Sequence, residues 1–380
     1  MKEKIILIKC LSLLFILTFS DNQKPKSVTS INLSNQTFRN ISLSSLIEEI
    51  QYIPLSNDKL LNEISKVKQA QSNFYIIDNK SLLLKFSNNG KFEAQIGRIG
   101  NGPGEYLFIT DFTIGENSSV TYALISYQKK IFEYSPTGKY IQAINLHIRA
   151  QKIAGYNDGF LTFNNISNGD NPISFVLLDL KGNILNQFAN KYKFNNGNGR
   201  SVRFEGECLF YNFQGKLHLK EIYADTVFYV ENKSMIPKFI LYSGKNRFTT
   251  EIRKNLNDGN VLYNIVFQSN IFETKNYLFF EYNDQILVYN KKTLESYEIS
   301  KNVGFINDVD GGPNVVFKTA INDNTLLTWY NAFELKGYVA SEAFKSSTPK
   351  FPEKKKALEK LANSLNENDN PVLMLVKLKE

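Results

Sequence analysis

Cysteine is almost missing from this chain: among 380 residues only Cys10 and Cys208 carry a thiol. A disulfide framework of the kind that staples small secreted domains is therefore excluded, and stability must come from packing. Cys208, beside Leu209 and Phe210, reads as a small buried hydrophobe. Histidine is equally scarce. His147 in "INLHIRA" and His218 in "KLHLK" alternate with apolar neighbours and read as ordinary strand positions. A zinc site needs several converging ligands, so two distant histidines without cysteine partners exclude one. No Gly-x-Ser-x-Gly elbow and no His-based triad can be drawn.

Charge of one sign is not concentrated either. The formal net charge is +8, but the basic residues are mostly lysines scattered singly, with one tight cluster at Lys354-Lys355-Lys356. A nucleic-acid groove calls for a basic stripe interleaved with aromatics, so nucleic acid is not expected as a partner. Long apolar runs are also missing. The longest follows a basic start, "MKEK", and its unbroken part from Cys10 to Phe19 is too short for the roughly 20 residues a membrane helix needs. It suits a secretory leader over residues 1–20, with small Thr18 and Ser20 placed for cleavage before Asp21. Losing Lys2, Lys4, Lys9 and Glu3 takes the charge from +8 to about +6. An exported chain with no transmembrane span in its mature part is the expectation.

What the chain has in quantity is Phe (29) and Tyr (20), within 42% hydrophobic residues. These suit pleated, half-buried surfaces, so the expectation is all-β. The pattern agrees. "NFYIID" is followed by "LLLKFS", the turn "NNGK" and "FEAQIG"; "VTYALIS" by "KIFEYS", "PTGK" and "YIQAINL"; "ISFVLLDL" by "KGN" and "ILNQF". Short apolar runs bounded by Gly, Asn and Pro are hairpin grammar. The turn glycines Gly90, Gly138 and Gly182 stand 48 and 44 residues apart. A period of about 40–50 residues with four strands each is the signature of a β-propeller.

More degenerate rounds follow. "KLHLK", "TVFYVE" and "IPKFILYSG" make a fourth; "YLFFEY", "QILVYN" and "ESYEIS" a fifth; "DVDGGPNVVFKTA" and "TLLTWY" open a sixth. "EIQYIPLS" near the start and "NPVLMLVKLK" at the end are strands without a blade of their own. Together they predict a six-bladed ring whose last blade is completed by both ends of the chain. Between Phe351 and Asn368 the period becomes helical, with Ala357, Leu358, Leu361 and Leu365 on one face. "YNAFELKGYVASEAF" reads as a second helix. The organisation expected is an N-terminal extension over 21–45 and one propeller domain over 46–380, with a helical excursion at 351–368.

The phrase "GRIGNGPGEY", Gly97 to Tyr106, could cradle phosphate or turn a corner. A phosphate loop needs Lys and Ser or Thr opening a helix. Here Pro103 removes an N–H, Glu105 puts a carboxylate where phosphate would sit, and "LFITDFTI" continues as strand. The reading is a corner from the outer strand of blade 1 to the inner strand of blade 2. Gly97, Gly100, Gly102 and Gly104 supply backbone freedom, and Pro103 stiffens it.

"IQYIPLS", "GKFEAQIGRIGNGPGEY" and "DNPVLMLVKLK" together resemble the six-bladed β-propeller family of exported Bacteroidetes proteins, itself distantly similar to NHL-repeat propellers. The resemblance runs from about residue 40 to the C-terminus. It implies a propeller at the cell envelope, often held by a lipid anchor, and brings no established activity. An anchor would need cysteine at position 21, where Asp21 stands.

Function is expected from loops and channel. Arg98, Asn101, Glu105 and Tyr106 are candidates for a ligand-facing loop. Asp111, Asn212 and Asp308, near inner strands, are candidates for the channel; no cofactor is expected there, Ca²⁺ being the weak alternative. "DVDGGP", Asp308 to Pro313, lacks the spaced oxygens of a calcium loop and reads as a turn. The leading expectation is a non-enzymatic binding or scaffold module for a peptide, glycan or partner protein, in the periplasm or cell envelope. The rival is a metal-assisted hydrolase or lyase working at the channel mouth.

Overall fold

The computed structural model describes residues 28–115, 118–164, 168–195, 203–256 and 265–380. The expected leader lies outside them. β1 (Thr29–Asn32) and β2 (Ile47–Pro54) come first. Blade 1 is then β3 (Ile64–Ala70), β4 (Asn73–Asp78), β5 (Leu83–Ser87) and β6 (Phe92–Gln95). Blade 2 is β7 (Asp111–Ile114), β8 (Thr121–Ile125), β9 (Lys130–Tyr134) and β10 (Tyr140–Asn145). Blade 3 is β11 (Ala150–Gly155), β12 (Gly159–Asn164), β13 (Ile173–Asp179) and β14 (Ile184–Ala189). Blade 4 is β15 (Cys208–Phe213), β16 (Lys216–Glu221), β17 (Thr226–Glu231) and β18 (Ser234–Tyr242). A short helix, α1 (Thr250–Lys254), precedes blade 5, which is β19 (Gln268–Glu273), β20 (Tyr277–Tyr282), β21 (Gln285–Asn290) and β22 (Ser296–Ser300). Blade 6 is β23 (Thr319–Asn322), β24 (Thr325–Tyr330) and β25 (Val372–Leu378), with β2 as its outer strand.

Each blade is an antiparallel meander, and the ring closes where β25 pairs with β24 on one side and β2 on the other. Tyr52 faces Met374 and Ile53 faces Leu373 across the closing seam. The expected joining of the two ends inside blade 6 is what the structure has. Strand residues are apolar in unbroken runs because both faces of a blade are covered. Each of the six blade-to-blade interfaces holds its own core, such as Leu161, Phe163 and Phe175 of blade 3 against Leu217 and Leu219 of blade 4. The hairpin glycines Gly90, Gly138 and Gly182 all take φ above +80°, as turns of this kind require.

Between β24 and β25 lie α2 (Ala332–Ala340), α3 (Glu342–Ser346) and α4 (Pro352–Ser364). They share a separate small core of Leu335, Val339, Phe344, Leu358 and Ala362. α4 stops four residues short of the expected 368, where Leu365 turns to extended backbone. No helix among the described residues is long and apolar enough to cross a membrane.

Two readings need correction. His147 is not in a strand: β10 ends at Asn145, and His147 is exposed in the crossover, because the chain must leave one blade to enter the next. The inner strand of blade 6 begins only at Thr319, so "DVDGGPNVV" is a looped crossover rather than strand. Within it Asp310 Oδ1 accepts the Gly312 N–H at 2.9 Å, the turn expected of that phrase. The strand β1 and the short helix α1 were not foreseen. The N-terminal extension adds β1 in parallel to β18, then bridges Phe38 to Glu298 of β22 before reaching blade 6.

Candidate functional site

The innermost strands β3, β7 and β11 bring charged side chains of three blades together. Lys66 of β3 donates to Asp111 Oδ1 of β7 at 2.6 Å, and the Ile153 N–H of β11 donates to Asp111 Oδ2 at 3.0 Å. Lys68 lies two residues on from Lys66, hence on the same strand face, with its ammonium 5.4 Å from the centre of the Phe112 ring. Lys152 belongs to β11 and adds its field to Lys66 and Asp111. Blades 1 and 3 are not neighbours, so groups from both meet at Asp111 only across the inner strand of blade 2, at the channel.

Electrostatics follow from this crowding. Burial would raise the Asp111 carboxyl, but Lys66 and Lys68, with the Ile153 N–H, hold it below the usual carboxylate range. Burial pushes the Lys68 ammonium down to about 8, with Lys66 and Lys152 pushing the same way and Asp111 opposing. Lys152 is lowered by burial and then by Lys66. The cluster therefore holds three amines and one buried carboxylate whose two oxygens are both engaged. In blade 5, Lys301, just past its outer strand, pairs with buried Glu281 of β20 at 2.8 Å, and Asn270 Nδ2 donates to Glu281 Oε1 at 3.0 Å.

Of the residues singled out from the sequence, Asp111 joins this inner-strand cluster. Asn212 is exposed on β15. Asp308 lies elsewhere, accepting from the backbone and side chain of Ser44 at 2.9 and 2.6 Å and pairing with Lys350 at 3.1 Å. The structure does not bring these three together, and among the described residues no three of Asp, Glu, His and Cys converge as a metal cage would need. The corner residues stay outside the channel. Tyr106 is buried and donates to Ile96 O at 3.1 Å. Glu105 folds back to accept the Gly102 N–H at 2.9 Å, while Arg98 and Asn101 remain on the loop with it. Pro103 sits within the same bend.

The segment joins β6 to β7, and its glycines work in two ways. Gly97 and Gly104 take φ of +65° and +73°. Gly100 and Gly102 do not; there a Cβ would stand 2.2 and 3.0 Å from the Glu105 carboxylate.

A second polar group lies buried between blades 4 and 5. Glu273 accepts from Lys238 (2.8 Å), Lys291 (2.7 Å) and the Tyr211 hydroxyl (3.1 Å). His218 stacks on Tyr211 with centroids 4.6 Å apart. Burial and Lys238 push its imidazole down to about 3, so it is neutral. Nε2 then accepts from Lys238, and Nδ1–H donates to Lys216 O. Every polar atom of that ring is in use, which makes His218 a fixed part of the interface. The lysines of this cluster do not stand out in the sequence, where lysine is scattered throughout. Their only signal was a position in the first strand of a blade, in "SKVKQA" and "RAQKIAG".

A closed ring of six blades around a channel carrying amines defines a six-bladed β-propeller. The chain belongs to the family described as a domain of unknown function, DUF4934, whose model matches residues 28–377. It is similar to a solved protein of Bacteroides fragilis inferred to be exported, with 20% identity, 93% of this chain and 100% of that one covered, and a TM-score of 0.71. A member of the DUF4221 family from Bacteroides vulgatus is similar at 12% identity over 88% of this chain and 97% of that one, with a TM-score of 0.51. Both likenesses carry the fold. No curated protein matches the chain.

Proposed function

We propose that the protein is an exported, non-enzymatic binding module of the periplasm or cell envelope that takes a peptide, glycan or partner protein at its channel. The observation that carries this reading is the gathering of Lys66, Lys68 and Lys152 around Asp111 on three inner strands. Such a wall recognises a ligand. A hydrolase or lyase would need carboxylates and amides converging on the axis, and Asp111, Asn212 and Asp308 are engaged or exposed in separate places. Export is supported by the leader pattern of residues 1–20 and by the exported character inferred for the Bacteroides fragilis relative.

The test is a screen of the purified full chain against a glycan array and against envelope extracts by pull-down, repeated with Lys66→Met. Binding that Lys66→Met weakens supports the proposal. An absence of any ligand, or retention that is indifferent to the substitution, removes the channel as its site.

A further inference from the structure

We propose that Lys66, Lys68, Lys152 and Asp111 form an anion-binding subsite, which takes a carboxylate, sulfate or phosphate group of the ligand in the channel. This rests on the channel-binding reading and gives the ligand its chemistry. Both oxygens of Asp111 are committed, one to Lys66 at 2.6 Å and one to the Ile153 N–H at 3.0 Å. That carboxylate cannot swing to serve the other two amines. Lys68 lies over the face of Phe112, and among the described residues no carboxylate lies within ion-pair distance of Lys68 or Lys152. The groups thus sum to about +2 near neutral pH, half-buried on one wall.

Holding amines partly out of water beside one another is unfavourable unless an anion arrives. Structural lysines elsewhere in this protein are finished off differently. Buried Lys220 donates to Ala224 O at 2.7 Å and Gln268 Oε1 at 2.8 Å, and Lys238 and Lys291 share Glu273. Among the described residues Lys68 and Lys152 have no such partners. Carboxylate, sulfate and phosphate share the requirement of several N–H donors at short range, so source is a matter for experiment.

Glucuronate, inorganic sulfate and inorganic phosphate are titrated into the full chain by calorimetry, with glucose as the neutral control. Saturable binding of at least one anion, weakened roughly tenfold in Lys152→Met and in Lys68→Met, about the worth of one charge-assisted contact, is expected. Lys152→Arg should retain it, and Lys360→Met on α4 should leave it unchanged. Tightest binding of glucuronate points to an acidic sugar or peptide carboxylate, and of sulfate or phosphate to an esterified ligand. Should the Met variants not fold, the ε-methylene resonances of Lys68 and Lys152 in the wild-type chain must move on anion addition. Anion binding equal in wild type and folded variants overturns the subsite, as do resonances that stay still. A neutral glycan that binds the channel while no anion does would overturn this inference and leave the binding module standing.

Discussion

Glu221, at the end of β16, has 9% of its surface exposed. Burial pushes its carboxyl up to about 7, against weaker opposing effects from Ser174, Lys191 and Lys220. The folded state therefore holds a proton that the unfolded chain gives up above its ordinary value of 4.5. Stability contributed by this group is full below that value, falls as pH rises, and is lost by about 7. Glu221→Gln should flatten the decline, so denaturant midpoints of variant and parent should converge at pH 4.5 and separate at 7.5 in the variant's favour. Parallel pH profiles would sink the assignment. At this scale the sequence was legible where backbone alone decides. Gly97 and Gly104 were recognisable as corner glycines, whereas at 100 and 102 the Glu105 carboxylate folds back to where a Cβ would stand. No spacing rule announces that contact.

Tyr330 and Val372, which flank the helical insertion of blade 6, are paired residues of one hairpin. The 41 residues between them are thus an embellishment on a turn, with a core of their own. Contact with the ring runs along several elements: Lys350 and Phe351 N–H groups donate to Asp308 O and Val309 O, Tyr52 of β2 and Val372 of β25 pack on the helices' core, and Asn370 donates to Ser56 O and Lys59 O. Replacing residues 332–370 by a short Asn-Gly turn should leave cooperative unfolding intact and lower Tm by some degrees. Loss of the cooperative transition in a thermal melt would show that the helices hold the ring. Helices and strands here were legible from period alone, since a helical repeat of apolar residues cannot be mistaken for two-residue alternation. β1 was not, because its four residues gain their order from the edge of β18.

The ring as a whole depends on β25 more than on any other late element. Val372, Leu373, Met374 and Val376 have no exposed surface. At about 1.5–3 kcal/mol for each buried apolar side chain, their removal costs as much as the net stability of a typical domain, roughly 5–15 kcal/mol. A chain ending at Pro371 should therefore be expanded and lack a cooperative melt. A chain without residues 28–32 should keep one, since it loses little more than the burial of Ile31, a cost of about 2–5 kcal/mol. If both truncations melt alike, closure through β25 is not what holds the ring.

The sequence by itself determined the number of blades, the strand grammar within them and the partners that close the ring. Those properties follow from local turn chemistry and from apolar runs that must be covered on both faces. Only the tertiary structure decided which of the scattered lysines matter. Lys66 and Lys152 stand 86 positions apart, and nothing local relates them. Lys66 bonds Asp111 and Lys152 lies in the field of both because the inner strands of blades 1, 2 and 3 stand next to one another.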